Sequence, residues 1–188
     1  MQAQQKGIRR ANALPGELVV RLEESSQAPP EVVYELLADV RGHLEWGGRQ
    51  QKKRYRLLSV DAPEGQAAVG TEFRTTGADA MGEFADSSVV TEATRPRLFE
   101  FVTEADLTTK KGTVVEWTNV HRYELRPRDG GCLIAYSLRT LRISELPGPM
   151  VAFRIPGLRA ILLRVGGSNL RRGLRNLARM AERGARDR

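Results

Sequence analysis

The sequence predicts an α+β fold: an antiparallel sheet of six to seven strands, one short helical segment after the first strand, and a long C-terminal helix. Three observations predict it. Short runs of alternating apolar and polar residues recur from about residue 54 to residue 143, separated by turns rich in Gly, Pro and Asp. After Pro147-Gly148-Pro149 the apolar period changes from two to that of a helix. Before the run of strands, one strand and one proline-started helix stand alone.

The elements follow in order. Residues 1–16 read as an irregular lead-in closed by Pro15-Gly16, and residues 185–188 as a basic tail, leaving 17–184 as one domain. Leu18, Val20 and Leu22 alternate with Val19, Arg21 and Glu23 in a first strand. Pro29-Pro30-Glu31 starts a helix, because proline fits an early helical position and an acid complements the helix N-terminus. Val33, Leu36, Leu37 and Val40 then form one apolar stripe, and Gly42 ends it ahead of the short continuation His43 to Gly48. Strands follow at 54–60, 71–75, 84–93, 98–104, 114–125 and 132–141, with a turn expected over 77–82. In the C-terminal helix Leu158, Ile161, Leu162 and Val165 make one stripe, and Leu170, Leu174, Leu177 and Ala181 another, with Gly166-Gly167 between them expected to kink the helix or reset its phase. About 28 helical residues would reach roughly 42 Å, enough to cross a sheet of this size and shelter one face.

The strand Val114 to Leu125 carries the strongest functional signal. Side chains alternate faces along a strand, so Glu116, Arg122 and Glu124 share one side and Trp117, Asn119, His121, Tyr123 and Leu125 the other. The charged row is expected to face water. The sheltered row mixes aromatic and polar groups, unlike a Val/Ile/Leu core, and has the make-up of a small-molecule cavity wall.

Composition bounds the alternatives. At 188 residues, with 40% hydrophobic and 28% charged content, the chain is globular in character. No apolar run approaches the roughly 18 residues a membrane span needs, and the N-terminus lacks the apolar stretch of a secretory signal. Cys132 is the only cysteine, so no internal disulfide forms, and a reducing, cytoplasmic setting is expected. Two histidines 78 positions apart offer no metal-ligand spacing, so no metal is expected, and no glycine motif cradles a phosphate or nucleotide cofactor. The net charge of +7 concentrates in arginines after residue 153. That basic face reads first as a solvated helix surface and second as a contact for an anionic membrane. No aromatic-rich basic strand accompanies it, which weighs against nucleic acid.

Several segments carry a family likeness. Pro29 to Val40 followed by Trp46 resembles the opening helix of the START-like helix-grip (SRPBCC) superfamily, and Val69-Gly70-Thr71-Glu72-Phe73 its strand entry. Thr94 to Phe101 resembles its middle turn, and Val115-Glu116-Trp117 leading to Tyr123 to Pro127 its penultimate strand. Within the superfamily the chain looks most similar to the bacterial polyketide cyclase/dehydrase and lipid-transport branch. The resemblance implies a cavity between the curved sheet and the long helix, with the sheltered row facing it. Phe101 and Tyr136 on neighbouring strands would then join that wall, and Trp46 would sit near the mouth.

Two functions follow as expectations. The first is a carrier or binder of a hydrophobic or aromatic small molecule, lipid-like or polyketide-like, without cofactor. The alternative is a cyclase or dehydratase in which His121, with Tyr123 and Tyr136, moves protons. Binding is preferred, because no carboxylate shares the row to orient the imidazole. His43, flanked by charge and turn residues, is assigned to the surface. Arg74 and Arg139 are expected to reach outward to water. The Glu104/Asp106 pair is read as a solvated strand end, and Phe153, Ile155 and Pro156 as packing under the helix.

Overall fold

The computed structural model describes residues 11–48, 55–79 and 81–187. Strand β1 (Leu18–Ser26) is followed by helix α1 (Pro30–Ala38), a 3₁₀ turn (Val40–Gly42) and the short helix α2 (His43–Gly47). Strands β2 (Tyr55–Asp61), β3 (Glu72–Asp79), β4 (Gly82–Thr94), β5 (Leu98–Thr109), β6 (Val114–Arg128) and β7 (Gly131–Ile143) come next. A 3₁₀ segment (Gly148–Arg154) leads into helix α3 (Pro156–Arg186).

The seven strands form one antiparallel sheet in the order β1-β7-β6-β5-β4-β3-β2. Consecutive strands from β2 to β7 pair as a meander, and β1 closes against β7. The α1 start follows the sequence: Pro30 lies in the first turn with Glu31, and Val33, Leu37 and Ala38 are fully buried. One core joins α1, α2 and the C-terminal half of α3 to the inner face of the sheet. A second, smaller cluster gathers Leu14, Leu18, Phe84, Leu107, Val115, Ile143 and Leu146.

Several expectations change. β3 runs on through Gly77, where a turn was expected. A Cβ there would lie 2.1 Å from Cζ of Phe84, so this glycine serves a close ring contact within the sheet. Residues 1–10 of the expected lead-in, and the expected strand start at residue 54, lie outside the described residues. Residues 11–16 are irregular but tied down. Asn12 donates to the Leu141 carbonyl, its own Oδ1 accepts from Ile143 N, and Leu14 is buried. α3 runs as one continuous helix through Gly167 for 31 residues and passes the expected domain end at 184.

The charged row of β6 does not simply face water. Arg122 is bonded to Glu100 (3.1 Å) and Glu124 (3.0 Å), and Arg142 to Glu116 (3.2 Å), which makes a half-buried cross-strand ladder on the outer face. Glu104 belongs to this ladder in mid-strand, accepting from the Thr118 hydroxyl, and is not a strand end. Arg74 is exposed, and Arg139 forms an exposed fork with Glu17 (2.8 and 3.1 Å). Neither contributes to the cavity wall described below.

In α3 the second apolar stripe is covered, but Leu158 and Ile161 of the first are exposed. Leu162 of the same stripe turns to the cavity, and the Val165 side chain lies outside the described residues. Ile155 and Pro156 are exposed as well, so of the expected Phe153-Ile155-Pro156 packing only Phe153 is turned inward.

Candidate functional site

The strand registers set the inner face of the sheet in successive cross-strand rows. The first is Phe99, Tyr123, Tyr136 and Leu22. The second is Val90, Phe101, His121, Leu138 and Val20. A third row, Ser88, Thr103, Asn119 and Thr140, crosses four adjacent strands with polar side chains alone. Beyond it lies Thr75, Asp86, Ala105, Trp117 and Ile143. A bulge between Thr118 and Asn119 lets the β6–β7 register shift between the third and fourth rows.

A cavity of about 430 Å³ lies over these rows, roofed by α2, the 3₁₀ segment 148–154 and α3. Trp46, Phe101, Trp117, Asn119, His121, Tyr123 and Tyr136 all line it, so the expected site residues come together around one cavity, Trp46 from α2 in the roof and the others from the sheet. The roof supplies Met150, Phe153, Leu162, Leu163 and Leu170.

Aromatic packing organises one end. The Phe101 and His121 rings stack at 4.6 Å and 9°, a direct consequence of their cross-strand pairing. Tyr123 lies 4.7 Å from Tyr136 and meets Trp46 edge-on at 6.3 Å. The polar row satisfies itself in pairs. Ser88 and Thr103 share a hydroxyl bond of 2.8 Å, and Thr140 donates to Asn119 Oδ1 at 2.7 Å.

His121 Nδ1 lies 3.0 Å from the Tyr136 hydroxyl. Burial, with His43 nearby, pulls its pKa down to about 3, so the ring is neutral at neutral pH. His43 is not at the surface: it is buried on the cavity wall, 4.7 Å from the Trp46 ring. Its Nε2–H donates to the Leu37 carbonyl at 2.7 Å, and burial lowers its pKa to about 4. Local sequence misplaced it because the α1–α2 corner folds back over the sheet, taking a residue amid polar neighbours to the inside.

Asp86 was missed altogether. It lines the cavity, and Thr75 donates to its Oδ2 at 3.1 Å. Burial, with Asp106 adding repulsion, pushes its pKa up to about 6. The signal was available: Phe84, Asp86, Ser88 and Val90 alternate onto one face, which marks Asp86 as inward. Cys132 is buried and its thiol pushed up to about 11, which removes it from chemistry near neutral pH. Among the described residues no three His, Cys, Asp or Glu side chains gather to hold a metal ion, and no helix is long and apolar enough to cross a membrane.

A curved antiparallel sheet gripping a long C-terminal helix, with a cavity between them, defines a helix-grip protein. Solved structures of that shape match the chain over most of its length. An uncharacterised protein from Rhizobium leguminosarum superposes with a TM-score of 0.64 at 14% identity, covering 89% of this chain and 95% of its own. Ara h 8.0201 gives 0.54 at 14% identity, with coverage of 88% and 98%. The major latex-like protein 151 of Panax ginseng gives 0.54 at 9% identity, with coverage of 88% and 97%. At such identities the likeness is one of fold. No family model matches the chain, and no curated protein matches it in sequence.

Proposed function

We propose that the protein binds a hydrophobic, partly aromatic small molecule in the cavity between sheet and α3, as a carrier or binder of the lipid-like or polyketide-like class. The observation that carries this reading is the cavity itself: about 430 Å³, walled by stacked rings and crossed by one polar row. Small-molecule sites have this size and this mixture of apolar wall with few polar groups. The cyclase alternative asks His121 to act as a base. A ring held neutral with a pKa near 3 is a weak base at neutral pH, and among the described residues its bonded partner is the Tyr136 hydroxyl rather than a carboxylate. Binding therefore fits the wall better than proton transfer.

Native mass spectrometry of the purified protein, against its denatured mass, tests the reading, with 8-anilinonaphthalene-1-sulfonate fluorescence beside it. A retained apolar molecule, or probe binding weakened at least tenfold by the cavity-filling Leu138→Trp, supports it. An empty protein whose probe binding ignores Leu138→Trp overturns it. Turnover of a polyketide chain lost in His121→Ala at unchanged affinity would restore the cyclase.

A second reading concerns the approach to the cavity, and the exposed residues Val151, Ile155, Leu158 and Ile161 favour it. They flank Arg154 and Arg164, on a segment whose other face, with Met150, Phe153, Leu162 and Leu163, roofs the cavity. Apolar residues ringed by arginine suit an anionic bilayer, which takes both the aliphatic groups and the charge. Sedimentation with vesicles containing phosphatidylserine, but not with pure phosphatidylcholine, would support this contact. Equal binding to both, or to neither, would remove it.

A further inference from the structure

Two groups of the cavity lining keep a buried polar atom without a hydrogen-bond partner among the described residues, the indole Nε1 of Trp46 and the carboxylate of Asp86, and Asp86 is the acceptor of the two. Ser88, Thr103, Asn119 and Thr140 bond to one another across the strands, and His121 bonds to Tyr136. Asp86 uses only one oxygen. Thr75 holds Oδ2, while Oδ1 is buried and has no hydrogen-bond partner among the described residues. An unsatisfied buried acceptor costs stability, and a carboxylate oxygen more than a neutral one. The chain tolerates this at one end of an apolar cavity, one cross-strand row beyond the polar row, with Phe84 and Trp117 lining the cavity beside it.

We infer that Asp86 reads a hydrogen-bond donor, a hydroxyl group, at one end of the bound molecule, while the rings of Phe101, His121, Tyr123 and Tyr136 take its flat apolar body. This rests on the cavity being a binding site, and narrows the ligand to hydroxylated, largely apolar molecules. The position of Asp86 favours it: Thr75 bonded at Oδ2 restrains the carboxylate, leaving Oδ1 as the acceptor. The raised pKa has the same origin, since burial penalises the charge that a donor would relieve. Asp79 also lines the cavity, but its Oδ1 accepts from the backbone N–H groups of Met81 (2.7 Å) and Gly82 (3.1 Å), and it has no oxygen among the buried acceptors left without a partner in the described residues. Discrimination of this kind is steep, because an analogue without the hydroxyl leaves the acceptor unpaired.

The test uses 6-hydroxyflavone and 6-methoxyflavone, identical except for the donor, titrated into the full-length protein by calorimetry at pH 7.5. The wild type should prefer the hydroxyl compound at least tenfold. Asp86→Leu should erase that preference while leaving the methoxy compound bound as well or better. Asp86→Asn, which keeps polar character at the site, should retain part of the preference, and thermal melting of both variants checks that they fold. A wild type that binds both compounds alike, or a preference that survives Asp86→Leu, overturns the inference while the binding cavity stands. Binding of neither compound by a wild type that also fails to take up 8-anilinonaphthalene-1-sulfonate overturns the cavity and this inference together. Binding of that probe but neither flavone overturns the donor-reading role alone.

Discussion

Leu174 and Leu177, in the C-terminal half of α3, are 2% and 0% exposed, whereas Leu158 and Ile161, in its N-terminal half, are 44% and 59% exposed. One continuous helix carries both stripes, so helix formation is not the difference. The difference is what lies across. The C-terminal half meets α1, α2 and β1: Gly173 passes the backbone of Trp46 and Gly47, Asn176 donates to the Trp46 carbonyl at 3.3 Å, and Ser26 to the Ala178 carbonyl at 3.3 Å. The N-terminal half is covered on its inner side alone at the described residues Leu158, Ile161, Leu162 and Leu163. It turns Leu162 and Leu163 to the cavity and bonds Arg159 to the Glu17 carbonyl, leaving its outer aliphatic residues uncovered. One half braces the fold and the other roofs a space.

That contrast can be broken at several points, with effects of decreasing size. Leu177→Ala should cost about 2–5 kcal/mol in urea unfolding, since it opens a hole in packed surroundings; a loss under 1 kcal/mol would mean that this half is no brace.

His43 lies under the same half, against Trp46. Its pKa falls from 6.5 to about 4 on folding, so the neutral ring's contribution is fully present above pH 6.5 and is lost as pH falls through 4. The loss is about 3 kcal/mol at 1.4 kcal/mol per unit. Asp86 works in the opposite sense: its raised pKa adds stability below about pH 4 that is lost as pH rises through 6. Comparing His43→Gln with the wild type at pH 7 and pH 4 isolates the histidine. The variant should show an acid loss smaller by about 3 kcal/mol, and parallel acid limbs would refute it.

Asn176→Ala, which removes the tie to the Trp46 carbonyl, should cost about 1 kcal/mol in the same unfolding assay. At the far end of the scale, Ile161→Ser should change stability by less than about 0.5 kcal/mol, because most of that side chain is exposed. The same variant should weaken binding to phosphatidylserine vesicles. A large loss of stability from Ile161→Ser would show that the first half is packed after all.

Much of this arrangement was legible in the residues. Alternation along Val114 to Leu125 placed Trp117, Asn119, His121 and Tyr123 on one face, and all four line the cavity. Period two is a local property of the strand, and one correct register carries every side chain with it. The meander of β2 to β7 and the long helix were legible for the same reason. Gly77 was misread because glycine marks both turns and close approaches, and only the Phe84 ring across β3–β4 distinguishes them.

The sequence by itself determined the strand and helix periods, and therefore which side chains travel together on a face. Only the tertiary structure decided which of those faces is covered, because cover depends on what the chain folds against each one. It left Leu158 and Ile161 of α3 exposed and covered Leu174, Leu177 and Ala181. It carried His43 from a polar corner to the cavity wall, and it joined the charged row of β6 into cross-strand ion pairs. It also set Asp86 beside a threonine that satisfies only one of its oxygens. Periodicity is written in neighbours along the chain, whereas burial and hydrogen-bond satisfaction belong to neighbours in space.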